Sequence, residues 1–268
     1  MLGGGGQRHA ATVSCDPWTI HSIIFNVPGM FVDPFVAAWG EVGLNPLVFG
    51  RRLVDRETGQ VLPWPRRVRL DFVRPGEPGL VLLGIVAEVF SHIDWRRFPG
   101  IAVNRLDLAS DHLLSVDPHL VRDQIAEVKL PYSRMWRGQE ADGQLWETVY
   151  HQGGRAEASS VVVAHYPRLD ALLHRCPDAG PEAVEYTRWR LRQEVRIRAD
   201  ALRRLLGGGS VTVQAVLGSL PVFIGFAERR LAPIFRAGVL SPPIRSIPGE
   251  EALARAVRPI GHHGRMRT

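Results

Sequence analysis

Two stretches of the chain alternate apolar and polar positions with a period of two: 101–111 (IAVNRLDLASD) and 186–198 (YTRWRLRQEVRIR). Successive side chains of a strand point to opposite faces of a sheet, so each stretch divides into two sets. In the first, Arg105, Asp107 and Asp111 share one face, with Leu106 and Leu108 on the other. In the second, Trp189, Leu191, Gln193, Val195 and Ile197 oppose Arg188, Arg190, Arg192, Glu194, Arg196 and Arg198. This alternation predicts strands of an antiparallel sheet packed on one side.

The same pattern predicts strands over 19–27, 66–73, 144–152 and 159–166, and two strand ends around the turn signal Glu57-Thr58-Gly59 within 51–64. Helical spacing runs through 34–43, which ends at a glycine, and through 117–128, with Asp117 as N-cap and Pro118 at the first helical position. Residues 167–176 open on Pro167 and read as a short helix, and 199–206 as another. The apolar segment 79–93 predicts a helix whose start also fits a buried strand. Gly207-Gly208-Gly209 marks a boundary, followed by helical segments over 211–220, 221–235 and 249–257. The expected fold is α+β: a mainly antiparallel sheet with helices on one face, plus a helical C-terminal extension. The expected division is a flexible tail over 1–14, a main domain over 15–206 and a mainly helical region over 210–268.

Composition narrows the class. The chain has 268 residues, 45% hydrophobic and 22% charged, so it can bury a core and is not a disordered protein. Its longest apolar run, 79–87, is too short to span a bilayer, and its first residues lack the apolar region of a secretory signal. Two cysteines, Cys15 and Cys176, make neither a disulfide framework nor a zinc motif, which fits a reducing cytoplasm. The net charge of +6 is carried by arginine, Lys129 being the only lysine. That balance favours an anionic partner, nucleic acid before a membrane surface. A GC-rich genome also produces arginine bias without any function behind it.

The carboxylates sharpen this. If the two alternating strands share a sheet face, Asp107 and Glu194 converge, and two acidic oxygens suit Mg²⁺ or Mn²⁺. Such a cation polarises a phosphoryl oxygen, and the flanking arginines bind phosphates. The alternative is a solvated arginine face neutralised by Glu194 and a neighbouring acid, with a purely structural role. Tyr166 ends a predicted strand just before Pro167, where its hydroxyl could act as a nucleophile. Tyr150 and Tyr186 compete on the same logic, and a strand-end tyrosine is most often a packing residue. Trp136, Trp146 and Trp189 could stack on unpaired bases, although such tryptophans are more often core. No His-hydrophobic-His pair is present; His262-His263 lies in the predicted tail. The early Gly3-Gly4-Gly5-Gly6 run lacks the Lys and Ser/Thr of a phosphate loop.

Arg105-Leu106-Asp107, Thr148-Val149-Tyr150, Tyr166-Pro167-Arg168 and Arg192-Gln193-Glu194 follow one another in this order across 101–206. The set resembles the core of the rolling-circle replication initiators of filamentous phages (the gene II/X type) and related plasmid replication initiation factors. Those proteins show Arg-x-Asp, Thr-x-Tyr, Tyr-x-Lys before an acidic helix, and Arg-x-Glu. The resemblance implies that Tyr166 is the nucleophile and that Asp107 and Glu194 hold Mg²⁺ or Mn²⁺, with Asp111 a further ligand or an orienting partner. Arg168 stands where the family usually has lysine, and arginine is a poor proton donor or acceptor. Asp170 is the matching acid of the helix. Arg105, Arg190, Arg192 and Arg196 are expected to bind DNA, single-stranded or extruded at the nick. The implied activity is DNA nicking and joining at a replication origin, with host replication machinery as a prospective partner and no membrane. Two other classes are a non-catalytic DNA-binding protein on the same scaffold, and a structural or partner-binding domain with an arginine-rich surface.

Overall fold

The computed structural model describes residues 11–49, 65–72, 83–131, 133–138, 148–152 and 160–243. The strand ends expected in 51–64, residues 144–147, the segment 249–257 and His262-His263 lie outside the described residues, as do Trp146 and the side chain of Trp136.

The strands are β1 (Thr12–Cys15), β2 (Thr19–Val27), β3 (Leu47–Phe49), β4 (Arg66–Asp71), β5 (Ala102–Leu114), β6 (Arg134–Gly138), β7 (Thr148–Gln152), β8 (Val161–Pro167) and β9 (Arg190–Arg198). Among the described residues they form one nine-stranded sheet in the order β3-β4-β2-β5-β9-β8-β7-β6, with β1 pairing β5. Every pairing is antiparallel. The α+β reading therefore holds. The tail expected over 1–14 overlaps β1, which pairs with the C-terminal end of β5 as β2 pairs with the rest of it.

The helices are α1 (Val32–Glu41), α2 (Leu83–Ser91), α3 (Pro118–Ala126), α4 (Arg168–Arg175), α5 (Pro181–Arg188), α6 (Ala199–Leu205), α7 (Val213–Gly218) and α8 (Leu220–Arg236). Asp117 caps α3 as expected, its side chain accepting from the His119 amide at 2.9 Å. Gly207 and Gly208 take φ of +69° and +88° just past α6 and let the chain leave the helix. Among the described residues, no helix is long and apolar enough to cross a membrane.

The apolar face of the sheet forms the main core. Leu106, Leu108, Leu191, Val195 and Ile197 are all fully buried. They belong to one cluster with residues of α1, α2, α3, α6, α7 and α8. Each such side chain is stabilised by about 1.5–3 kcal/mol on leaving water. Residues 211–240 share that core, and Val103 donates to the Val211 carbonyl at 2.8 Å. The short helix α4 is different: its Ala171 packs on Ala164 and Tyr166, which lie on the opposite face.

One strand boundary differs from the sequence reading. Residues 186–188 end α5 instead of opening β9. Pro181 starts that helix, and buried Ala183 and Thr187 sit one turn apart on it, the Thr187 hydroxyl donating to the Ala183 carbonyl at 2.8 Å. Helical spacing and strand alternation overlap across the two elements, so the alternation read one element too far. Trp189, expected among the apolar positions, is 44% exposed at the junction.

Candidate metal centre

The antiparallel register sets polar side chains of four strands side by side. Ser22 lies opposite Asp107, and Asp107 opposite Arg196. Two pairs along, Glu194 stands between Ala109 and Ala164. Two further pairs along, Arg192 stands between Asp111 and Tyr166. The two alanines flanking Glu194 are small and fully buried, and larger side chains approach its carboxylate.

One of those neighbours arrives through an irregularity. The β2–β5 register shifts between Ile20 and Ser22, leaving His21 as an extra residue. Regular alternation sends His21 and Ser22 to opposite faces. The bulge instead turns both towards the polar face, while Ile20 and Ile23, three apart, are both fully buried core residues. The Ser22 hydroxyl donates to Asp107 Oδ2, and His21 Nδ1 lies 3.7 Å from Glu194 Oε1. Sequence reasoning missed His21 because period-two alternation carries no sign of a bulge.

His21, Asp107 and Glu194 each offer a ligand atom within 4.8 Å of the others, and all three residues are buried. Neither ring nitrogen of His21 has a hydrogen-bond partner, nor does Asp107 Oδ1. The other carboxylate oxygens are partnered. Arg105 Nη2 donates to Asp107 Oδ2 at 2.7 Å. Arg196 Nε donates to Glu194 Oε1 at 2.7 Å, and the Tyr166 hydroxyl donates to Glu194 Oε2 at 3.0 Å. Burial alone raises a carboxyl pKa, but Arg196 and then His21 outweigh it and hold Glu194 well below the usual range. Burial lowers the pKa of the His21 imidazole against the pull of Glu194, and a neutral imidazole is the form that binds metal. Two carboxylates and one imidazole with orphaned buried atoms fit a divalent cation.

Asp111 sits outside this group. Arg192 binds it bidentately, Nε to Oδ1 at 2.6 Å and Nη2 to Oδ2 at 2.7 Å, and Arg168 Nε lies 3.5 Å from Oδ2. Burial opposes ionisation of Asp111, yet Arg192 and then Arg168 hold its carboxyl below the ordinary value. Both of its oxygens already face guanidinium groups, which favours the orienting role over the ligand role.

The arginines divide accordingly. Arg192 is fully buried and anchors Asp111. Arg190 pairs with Asp16 at 3.1 Å and stacks on the Tyr186 ring at 4.0 Å. The side chains of Arg105 and Arg196 remain 20% and 26% exposed and border the metal group. The register continues their face to Arg198, and across β2 to Arg67, Arg69, Leu47 and Phe49. Arg67 is exposed, and Leu47 and Phe49 are 51% and 43% exposed. Cationic groups with an exposed aromatic ring suit a polynucleotide strand.

Tyr166 is 1% exposed. Burial, reinforced by Glu194, pushes its hydroxyl up to about 12, against the opposing pull of Arg192 and Arg168. Arg168 is buried beside it, and burial with Arg192 brings its guanidinium down to about 10, so it is still charged at neutral pH. Asp170 lies on α4 and pairs with His119 at 3.3 Å. Tyr150, the competing tyrosine of β7, is half-buried with Arg196 5.9 Å from its ring centre, and Tyr186 lies on α5 against Arg190. The Tyr166 hydroxyl bonds a residue of the metal group.

No protein-family model matches the chain, and no curated protein matches it. Among solved structures, the chain is similar to the rolling circle replication initiator protein from Geobacillus stearothermophilus. The two are 13% identical, over 72% of this chain and 77% of that one, with a TM-score of 0.39.

Proposed function

We propose that the chain is a metal-dependent DNA nicking and joining enzyme that initiates replication, with Tyr166 as the nucleophile. The observation that carries this reading is the bond from the Tyr166 hydroxyl to Glu194, a carboxylate that also belongs to the His21–Asp107–Glu194 group. Nucleophile and metal ligand are thus in direct contact, in a setting rich in arginine.

In this reading Asp107 and Glu194 hold Mg²⁺ or Mn²⁺, which would offset charge on a phosphoryl oxygen and ease ionisation of a nearby phenol. The Tyr166 oxygen attacks the phosphorus of a phosphodiester and forms a new O–P bond. The bond from phosphorus to the 3′ oxygen breaks, and that oxygen takes a proton from solvent and departs as a 3′ hydroxyl able to prime synthesis. The 5′ phosphate stays on the tyrosine. Rejoining reverses the exchange, with no ATP, because one ester bond replaces another. The hydrogen bond to Glu194 orients the phenol and gives its proton a route out of the site. Arg168 and Arg192 contribute positive charge beside the phenol, and Asp111 keeps both in place. Arg105 and Arg196 border the group where a phosphate would lie, and Arg67 and Arg198 extend the cationic face for the flanking strand. The buried position of Tyr166 favours single-stranded or extruded DNA, whose backbone can enter a narrow site. Such DNA also fits the exposed ring of Phe49.

That same burial favours a second reading, in which the arginine face binds DNA without cutting it. Incubation with supercoiled DNA and Mn²⁺ or Mg²⁺ separates the two. The expected result is conversion to the nicked form with DNA covalently attached to the protein. Tyr166→Phe should reduce conversion at least about 10⁴-fold, as removal of a nucleophile does elsewhere, and Asp107→Asn should reduce it at least about 100-fold, since a direct ligand matters more than an outer-shell partner. Conversion that survives Tyr166→Phe overturns the nucleophile assignment; DNA binding with no conversion supports the second reading.

A further inference from the structure

The inference concerns the identity of the metal and rests on the reading above that Asp107 and Glu194 hold a divalent cation. We propose that His21 is the third protein ligand, and that the resulting His–Asp–Glu set selects Mn²⁺ over Mg²⁺.

The lone pairs that remain in the group decide this. Glu194 already accepts from Arg196 and Tyr166, and Asp107 Oδ2 already accepts from Ser22 and Arg105. The atoms with no hydrogen-bond partner are Asp107 Oδ1 and the two imidazole nitrogens of His21, whose Nδ1 lies 3.7 Å from Glu194 Oε1. A cation entering here therefore depends on a nitrogen donor. Mg²⁺ is a hard ion that prefers oxygen, demands near-octahedral geometry and dehydrates reluctantly. His21, Asp107 and Glu194 are 2%, 0% and 1% exposed, so water is a poor supplement to the protein ligands. Mn²⁺ accepts carboxylate and imidazole together and loses water more readily.

The placement of His21 argues that it is built for this position. A bulge interrupts a central strand to bring His21 onto the polar face beside Ser22, while the strand's core residues keep their places on either side. An imidazole used only for packing needs no such turn, and a buried one is normally hydrogen-bonded on at least one nitrogen. Arg105 and Arg196 act as competing cations on the same carboxylates, which further favours an ion that gains from nitrogen.

The test uses the full chain without DNA. Mn²⁺ binding is followed by loss of the free-ion EPR signal, with Mg²⁺ as competitor, and the bound ion is examined by pulsed EPR for coupling to nitrogen. The expected result is tighter binding of Mn²⁺ than of Mg²⁺ and a ¹⁴N coupling that becomes ¹⁵N in protein labelled at histidine. His21→Gln should weaken Mn²⁺ at least about 10-fold, leave Mg²⁺ little changed and remove the coupling. If His21→Gln fails to fold, the labelled wild-type chain still decides whether histidine binds the ion. A bound Mn²⁺ without histidine coupling, or equal affinity for the two ions, overturns the proposal. Nicking with Mg²⁺ alone and no nitrogen coupling sinks this inference and spares the function. Histidine-coupled Mn²⁺ on a chain that never cuts DNA does the reverse.

Discussion

Glu194 and Asp111 occupy adjacent central strands, two register pairs apart, and each is buried against arginine. Around Asp111, Arg192 satisfies both oxygens and Arg168 approaches one of them. Around Glu194, Arg196 donates to both oxygens and the Tyr166 hydroxyl to one, and beside them lie an imidazole and an Asp107 oxygen that have no hydrogen-bond partner. The residue types are the same and the chemistry differs. A carboxylate whose lone pairs are saturated by buried guanidinium groups is a fixed part of the framework. A carboxylate beside unsatisfied donor atoms can bind something else. Burial, charge and the number of donors do not separate the two cases; the unpartnered Asp107 Oδ1 and imidazole nitrogens beside Glu194 do.

Substitution should expose that difference most in stability. Asp111→Ala leaves Arg192 and Arg168 buried without their carboxylate and should destabilise the fold by about 3–5 kcal/mol. Glu194→Gln should destabilise it by only about 1–2 kcal/mol, because the Arg196 side chain, 26% exposed, can turn to water. Urea unfolding of the two variants measures the contrast, and equal losses would show that the neighbourhoods are not distinct.

Acid should act on a third region before either carboxylate. On the core face, His112 and His165 are buried beside Gln193 and His151 lies against His165, and burial lowers all three. Burial brings His112 to about 4, from an ordinary 6.5. With its folded value below its unfolded value, its contribution is complete above pH 6.5 and is lost as pH falls from 6.5 to about 4. The loss is about 3 kcal/mol by proton linkage. Asp111, lowered by Arg192, should lose its contribution only at more acid pH. Urea midpoints should therefore drop between pH 7 and 5, and His112→Gln should flatten that slope. A slope unchanged in the variant would assign the acid sensitivity to the other buried histidines, His21, His151 and His165.

The smallest effect belongs to the rim of the site. Arg67→Ala removes an exposed charge and should reduce the salt dependence of DNA binding by about one unit of slope, with the unfolding midpoint unchanged. A binding isotherm at several salt concentrations measures it. No change in slope would place the DNA path away from β4.

Much of this arrangement could be read from residues in order. Alternation in 101–111 and 190–198 placed Arg105, Asp107, Asp111 and Glu194 on polar faces, and Asp117-Pro118 and Gly207-Gly208 marked a helix start and a helix end. These signals are local: side-chain period, capping and positive φ act within a few residues. The same locality explains the reading that failed, since Pro181 and the Ala183–Thr187 spacing prolong a helix into a stretch that also alternates.

Pairing between strands decided the rest. Asp107 meets Glu194 only because β5 and β9 are neighbours in one register, and a slip of one residue would send each to the other face. His21 joins them only because β2 bulges at one position, a response to its pairing with β5 that no residue pattern in 19–27 announces. Arg192 looks like a surface cation in the alternating pattern, yet Asp111 and Tyr166 on the two adjacent strands enclose it. The chain's order of residues specifies which groups each strand offers to a face. Long-range packing specifies which of those groups keep a free lone pair, because that depends on every neighbour at once.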